Sequence, residues 1–241
     1  MTPSVQDVSR GLYDQTLHVV RLIWPVVFWA ALVSFASGLF GILLLDVLVL
    51  IMAGTAVIYT ACGCMLSDGR VQGVAMLRHA NPRDLEIFAI LYGLPVILMA
   101  VLDAVSSYFS GDGSVAVTVL TLAASVGFLL LQAQYGTILP AIMDKGDVSL
   151  RAASQRVRAR TVFWHMVTVL LFLLLVFIAL AITVGLLIMI FYLVGIPAIA
   201  PVATFLSMMV ANIIAMGMLV SFVVILCNAY HGAYCEPGIS S

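Results

Sequence analysis

Charge is what this chain has least of. Asp, Glu, Lys and Arg together make 9% of its 241 residues, against about 25% in soluble domains. A fold of this length could not cover itself with polar surface from so small a supply, which excludes a water-soluble globule. Lysine is nearly missing: Lys145 stands alone beside nine arginines. Strict polar–apolar alternation is missing too, and with it the signature of a transmembrane β-barrel. The chain has no G-x-S-x-G, no glycine-rich phosphate loop and no H-E-x-x-H, so the common soluble catalytic motifs are absent. No connector between apolar runs exceeds about 20 residues, which leaves no room for a separate catalytic domain.

What is present is apolar length. Hydrophobic residues make 64% of the chain and the mean hydropathy is +1.21. A crossing of roughly 30 Å of hydrocarbon needs about 20 apolar residues in a helix. The reading is an all-α, polytopic helical membrane protein forming a single transmembrane domain, 1–241, with six transmembrane helices and short cytoplasmic amphipathic helices. The opening segment carries Asp7, Arg10 and Asp14, spread unlike the parts of a cleaved signal peptide. Val5, Val8 and Leu12 recur at helical spacing, which predicts a short amphipathic helix on the membrane surface.

From Leu22 to Leu66 the only charge is Asp46. That length is about 67 Å of helix, hence two crossings, placed at 22–42 and 46–66, with the turn at Ser37 to Gly41 or at Asp46 itself. Pro82 and Asp84 are suited to open the third span, 87–109. "SGDGS" is a turn signal before the fourth, 115–143, with Pro140 near its end. Thr161 to Gly195 carries no Asp, Glu, Lys or Arg and is too long for one upright crossing. Either it tilts strongly, or the fifth span ends at 182 and 185–194 forms a separate interfacial or re-entrant helix. The sixth span covers 202–230. A seventh crossing through 184–201 would meet Gly195, Pro197 and Pro201 as interruptions.

Orientation follows from the basic residues. With six spans and the N-terminus inside, all ten fall on the cytoplasmic side, and the outer connectors carry only Asp46, Asp103 and Asp112. This is the positive-inside arrangement; N-terminus and C-terminus are both expected inside. A cytoplasmic segment precedes each pair of spans (1–21, 67–86, 144–160), a rhythm of architecture without a residue-level repeat.

Four arginines gather in "GDVSLRAASQRVRARTVFWHM". Leu150, Ala153, Val157 and Trp164 share a helical stripe flanked by Arg151, Arg156, Arg158 and Arg160, with Asp147 or Ser149 as cap. The expectation is an interfacial helix whose arginines reach anionic lipid headgroups; each is worth roughly 1 kcal/mol against an anionic leaflet. A protein partner for this helix is the rival reading. Nucleic acid is not expected, since no nucleic-acid-binding module is present.

Cys62, Cys64, Cys227, Cys235 and His231 fall at one depth under this topology. Their C-x-C and C-x₃-H-x₃-C spacings match no familiar zinc pattern, and cysteine serves commonly as a small apolar filler; no metal and no cofactor are expected. No Asp, Glu, Lys or Arg sits at a midplane, where transporters and proton relays usually place one. Asn212 is the most central polar group, with Gln132 and Gln134 in the fourth span. An intramembrane Asn ties helices together more often than it binds a ligand. Ala203, Ser207, Ala211 and Ala215 form a small-residue stripe through 203–215 that permits close approach of a neighbouring helix or of another membrane protein subunit. Asp84 and Glu86 point to different sides of a helix and suit the capping of the third span.

"YGTILPAIMDKGDVSLRAASQRVRARTVFWHM" resembles a pattern in uncharacterised six-span bacterial inner-membrane proteins: a small-residue "LPAI" exit, an arginine-rich "SLR-A" helix, then an aromatic opening the next span. It is similar to the membrane domain attached to some glycerophosphodiester phosphodiesterases. The resemblance covers about 32 residues and implies six helices in a bacterial inner (cytoplasmic) membrane. It carries over no catalytic residue, because the phosphodiesterase domain is not in this sequence. The arginine bias suits a GC-rich genome. The functional expectation is a non-enzymatic integral membrane protein, an accessory, scaffold or regulatory subunit of a membrane assembly. The alternative is a small transporter or channel for a neutral solute or lipid, with Asn212, Gln132, Gln134 and Asp103 along one path. A lipid enzyme at the inner interface would require the Cys/His group, or Asp84 and Glu86, to converge on a cleft.

Overall fold

The computed structural model describes residues 5–67, 73–108, 114–156, 159–193 and 200–231. These residues form helices and no strand. The helices are α1 (Val5–Leu39), α2 (Leu43–Leu66), α3 (Gly73–Arg78), α4 (Pro82–Tyr108), α5 (Ser114–Tyr135), α6 (Ile138–Lys145), α7 (Leu150–Arg156), α8 (Ala159–Leu193) and α9 (Ala200–Tyr230). Six stretches are long and apolar enough to cross a membrane. They lie in α1, α2, α4, α5 continued through α6, α8 and α9, so the chain is a multi-pass helical membrane protein.

Lipid is as apolar as leucine, so packing and small residues hold such helices together, more than hydrophobic burial does. α1, α2 and α9 pack on one another as a central triangle. Its core contains Ile23, Val27 and Ala31 of α1, Val57, Ala61 and Cys62 of α2, and Val220, Val224 and Cys227 of α9, all buried. α4 lies against α2, α5 against α4, and α8 against both α5 and α9. The six spans thus close a ring through α1, α2, α4, α5, α8 and α9, with the α2–α9 contact running across it. Neighbours along this ring run antiparallel. Gln15 meets Asn228 and Asp144 meets Tyr230 at one end, while Phe35 meets Phe205 towards the other. The first end carries the basic segments and is here called the basic end.

Two expectations are corrected, and two are narrowed to one of their alternatives. The surface helix over 1–20 is not separate from the first span. α1 runs unbroken for 35 residues with Pro25 inside it, and Val19 is buried in the core. No Gly or Pro stands between Asp14 and Pro25 to end a helix, and proline is tolerated inside transmembrane helices. The side chains of Val5 and Val8 lie outside the described ones. The turn falls at Phe40–Gly41, where Gly41 has φ +63, a conformation that favours glycine. Asp46 lies inside α2, which begins at Leu43.

The fourth span is broken rather than continuous over 115–143. α5 ends at Tyr135, and after Gly136 and Thr137 α6 begins. Gly136 lies so close to Leu226 of α9 that a side chain there would overlap it. α6 then tucks under the ring at the basic end, against α2, α4 and α9, with Ile138 to Ile142 buried. Pro140 sits in the first turn of α6, where its missing N–H costs little.

α8 is one helix of 35 residues. Of the two readings of this stretch the single long helix holds: 185–193 continues α8, with no break at 182. A single Gly185 among strong apolar helix formers does not end it. Pro82 does open the third span, as expected, but the side-chain cap is Asn81, whose Oδ1 accepts from the Arg83 N–H at 3.2 Å. Asp84 lies in the first turn behind it.

Candidate functional site

At the end opposite the basic segments the central triangle loosens. Below it, Ala31, Ala53 and Met216 are buried; one turn further out the helices part around Asp46. A recess of about 380 Å³ lies between α1, α2 and α9, lined among others by Ser34, Phe35, Asp46, Leu50, Ala211 and Asn212. A second, of about 490 Å³, lies between α2, α4 and α5 and shares Asp46 and Leu50, with Tyr92, Pro95 and Phe128 on its far walls. Asp46 and Leu50 line both recesses, which together are here called the crevice.

Local sequence explains the opening. Pro95 inside α4 faces the second recess, and the ring of Tyr92 fills the space over Gly54 of α2, where an added methyl group would overlap it. At the triangle, Ala211 is small, and Gly38 leaves room beside the Asp46 carboxylate, its nearest side-chain neighbour. Phe35 and Phe205 stack edge to face with centroids 4.7 Å apart and hold α1 to α9 at this level.

The polar groups are few. The Ser37 hydroxyl lies 2.7 Å from Asp46 Oδ1 and 2.9 Å from the Ser34 carbonyl oxygen, so it joins the end of α1 to the start of α2. Ser34 itself is 6% exposed, and its hydroxyl has no hydrogen-bond partner among the described residues. A buried hydroxyl left unpaired costs about 1–3 kcal/mol. Thr55 and Thr137 are buried in the same state, but only Ser34 lines the crevice. Asn212 donates its side-chain amide to the Met208 carbonyl at 3.1 Å. Only the nitrogen can donate to a carbonyl, so the amide oxygen is the remaining acceptor.

Asn212 was expected to tie two helices together. It bonds its own helix instead, because the carbonyl four residues back is always within reach, and it lines the recess. Ala211, from the small-residue stripe, lines the recess beside it. Ala203, Ser207 and Ala215 are half-buried, and Ser207 bonds the Thr204 carbonyl of its own helix. The bare apolar face of this part of α9 belongs instead to Val202, Phe205, Leu206, Met208 and Val210. Gln132 is half-buried and Gln134 exposed on α5; neither lines the crevice, so they do not join Asn212 on one path. The side chain of Asp103 and the whole of Asp112 lie outside the described residues. Sequence reasoning placed Asp46 near a turn but missed Ser34, whose unsatisfied state leaves no trace in composition or spacing.

At the basic end the structure brings together two of the expected thiols. Cys62 Sγ and Cys227 Sγ are 3.8 Å apart and buried, joining α2 to α9. Cys235 lies outside the described residues. Among the described residues no group of three or more His, Cys, Asp or Glu is gathered as metal ligands would be. In the arginine segment Ser149 caps α7, its hydroxyl accepting from the Ala152 N–H at 3.2 Å, while Asp147 Oδ1 accepts from the Ser149 N–H at 2.9 Å. Ala153 is buried, and Leu150, Arg151, Arg160 and Trp164 are exposed. Of the stripe, Leu150 and Trp164 thus face outward, while Ala153 packs inward. The side chains of Arg156, Val157 and Arg158 lie outside the described ones.

Fold and site together define a class: a multi-pass helical membrane protein of six spans with a sparsely polar crevice at the end opposite the basic segments. No family model matches the chain, and neither does any curated protein or solved structure.

Proposed function

We propose that the chain is a non-enzymatic integral membrane protein, with both ends cytoplasmic in a bacterial inner membrane, that acts as an accessory or regulatory subunit of a larger membrane assembly. The observation that carries this reading is α8. It is about 52 Å long at 1.5 Å per residue, and it rests on α5 and α9 only along one side. Large apolar side chains from Leu170 to Leu193 are exposed on its other sides. A helix of this length tilts or extends beyond about 30 Å of hydrocarbon into the headgroup region. Its exposed flank is the surface that a partner's transmembrane helix would cover. The bacterial inner membrane rests on the resemblance of residues 135–166, and the orientation on the placement of the ten basic residues.

The test is purification of the tagged chain from its native membranes in a mild detergent. A second protein co-eluting in fixed proportion, and lost when Leu175, Ile178 and Ile182 are replaced by alanine, is the expected result. A lone chain that conducts or transports a solute in liposomes would overturn it.

The alternative, a transporter or channel for a neutral solute or lipid, draws on the crevice. Against it stands the position of Gln132 and Gln134, which line neither recess. Such a recess is suited to holding a ligand that biases an assembly.

A further inference from the structure

Among the described residues of the helices that wall it, the crevice holds a carboxylate with no basic side chain near it. On the helices that wall the recess beside Ser34, the nearest basic residue is Arg21 of α1, about 20 Å along the helix from Ser34. α2 and α9 carry none within their helical ranges. An aspartate facing a membrane recess without a counter-charge is costly and points to function. Within the fold it is met by the Ser37 hydroxyl at 2.7 Å and by the N-terminal turn of α2, and no basic side chain of α1, α2 or α9 is placed to neutralise it.

Three side chains that carry an oxygen acceptor line the same recess: Asp46, Ser34 and Asn212. Ser34 is the second, independent sign, because its hydroxyl is buried and unpartnered. A primary ammonium group has three N–H donors and no acceptor, which matches this set in number and kind. The remaining walls are apolar, with Phe35, Leu39, Leu50 and Met208 around the polar pole. A bare metal ion has no use for such walls, whereas an amphipathic amine fills them with its hydrocarbon. Leu39 is exposed and Asp46 half-buried, so the pole is reachable from the membrane side and from the α1–α2 turn.

The geometry points to the Asp46 crevice as a binding site for a primary ammonium group borne on an apolar chain. The group is either the headgroup of an aminophospholipid or a free amphipathic amine. The site stands whether or not the chain is a subunit of a larger assembly, so failure of co-purification would leave it untouched.

The test uses the full chain in phosphatidylcholine nanodiscs, with dodecylamine as probe and with dodecanol and dodecyltrimethylammonium as comparators. Binding is read by native mass spectrometry and by thermal shift, after subtraction of uptake by empty nanodiscs. Dodecylamine is expected to bind at least tenfold more tightly than either comparator. Asp46→Asn is expected to remove that tenfold preference and Asp46→Glu to retain most of it. Ser34→Leu, which fills the recess with a residue natural to a membrane helix, serves as the second variant and is expected to abolish retention of the amine. Nanodiscs containing phosphatidylethanolamine separate the two sources. If that lipid displaces dodecylamine the ligand is a headgroup, and if it does not the ligand is a free amine. Equal binding of all three probes to the wild type overturns the proposal. So does undiminished amine preference in folded Asp46→Asn, or in Ser34→Leu where Asp46→Asn does not fold.

Discussion

Gly54 and Tyr92 show how little spare volume the α2–α4 contact has. The Tyr92 ring lies where a side chain on residue 54 would stand, and Tyr92 also walls the crevice. Gly54→Ala gains about 0.5–1 kcal/mol of helix propensity but forces the ring to move, at about 1–3 kcal/mol for an overpacked contact. The net expectation is a lower melting temperature in detergent, and Gly54→Leu should be worse. A melting temperature unchanged in both would mean that the ring is not seated there. At this scale the sequence was legible only in part. Asp46 stood out as the single charge in 45 residues. Ser34 did not, since a serine in an apolar helix ordinarily bonds a carbonyl of its own preceding turn, and only the packed structure shows that this one does not. Nor does the sequence show that the Asn212 amide nitrogen bonds the Met208 carbonyl of its own helix.

At the scale of elements, apolar length announced the spans but not their ends. Six runs long enough to cross a membrane became six crossings, because nothing else satisfies backbone groups in lipid. The boundaries moved where no breaker marks them. α1 absorbs the polar opening segment, and α8 continues through residue 182. Conversely, the fourth span breaks at Gly136 and Thr137, where a side chain on residue 136 would meet both the Gln132 carbonyl and Leu226 of α9, and the apolar pattern gives no periodic signal of it. The α2–α9 contact can be tested through its thiols. With Cys62 and Cys227 3.8 Å apart, a membrane-permeant oxidant such as iodine is expected to convert the pair to a disulfide, removing two hydrogens and two titratable thiols. Cys62→Ser should leave no such cross-link; failure of the wild type to react under denaturant-free conditions would count against the packing. The arginine segment makes a second prediction. Replacing Arg151, Arg156, Arg158 and Arg160 together with Gln removes about 4 kcal/mol of attraction to an anionic leaflet. Binding of anionic lipid should fall, or the α8–α9 hairpin should invert in a fraction of molecules, as read by cysteine accessibility at its connector. If neither changes while co-purification is lost, the segment is a protein-binding element.

The whole molecule is a ring of six helices, tight at the basic end, where α6 closes it, and parted at the other around Asp46. Its class was legible from composition alone, since 9% charge permits no soluble alternative. Its arrangement was not, because in lipid the choice of neighbour rests on small residues and shape, and many apolar faces are equivalent in sequence. Reporter fusions within 1–4 and 232–241 are expected to read cytoplasmic, and a fusion in the 109–113 connector periplasmic; the reverse pattern would remove the basis for the orientation. The most direct test of the central claim is native mass spectrometry of the chain ejected from native membrane vesicles without prior detergent. The account predicts a species heavier than the 25.8 kDa chain by at least one further polypeptide. A spectrum holding only the 25.8 kDa chain and its lipids would contradict it.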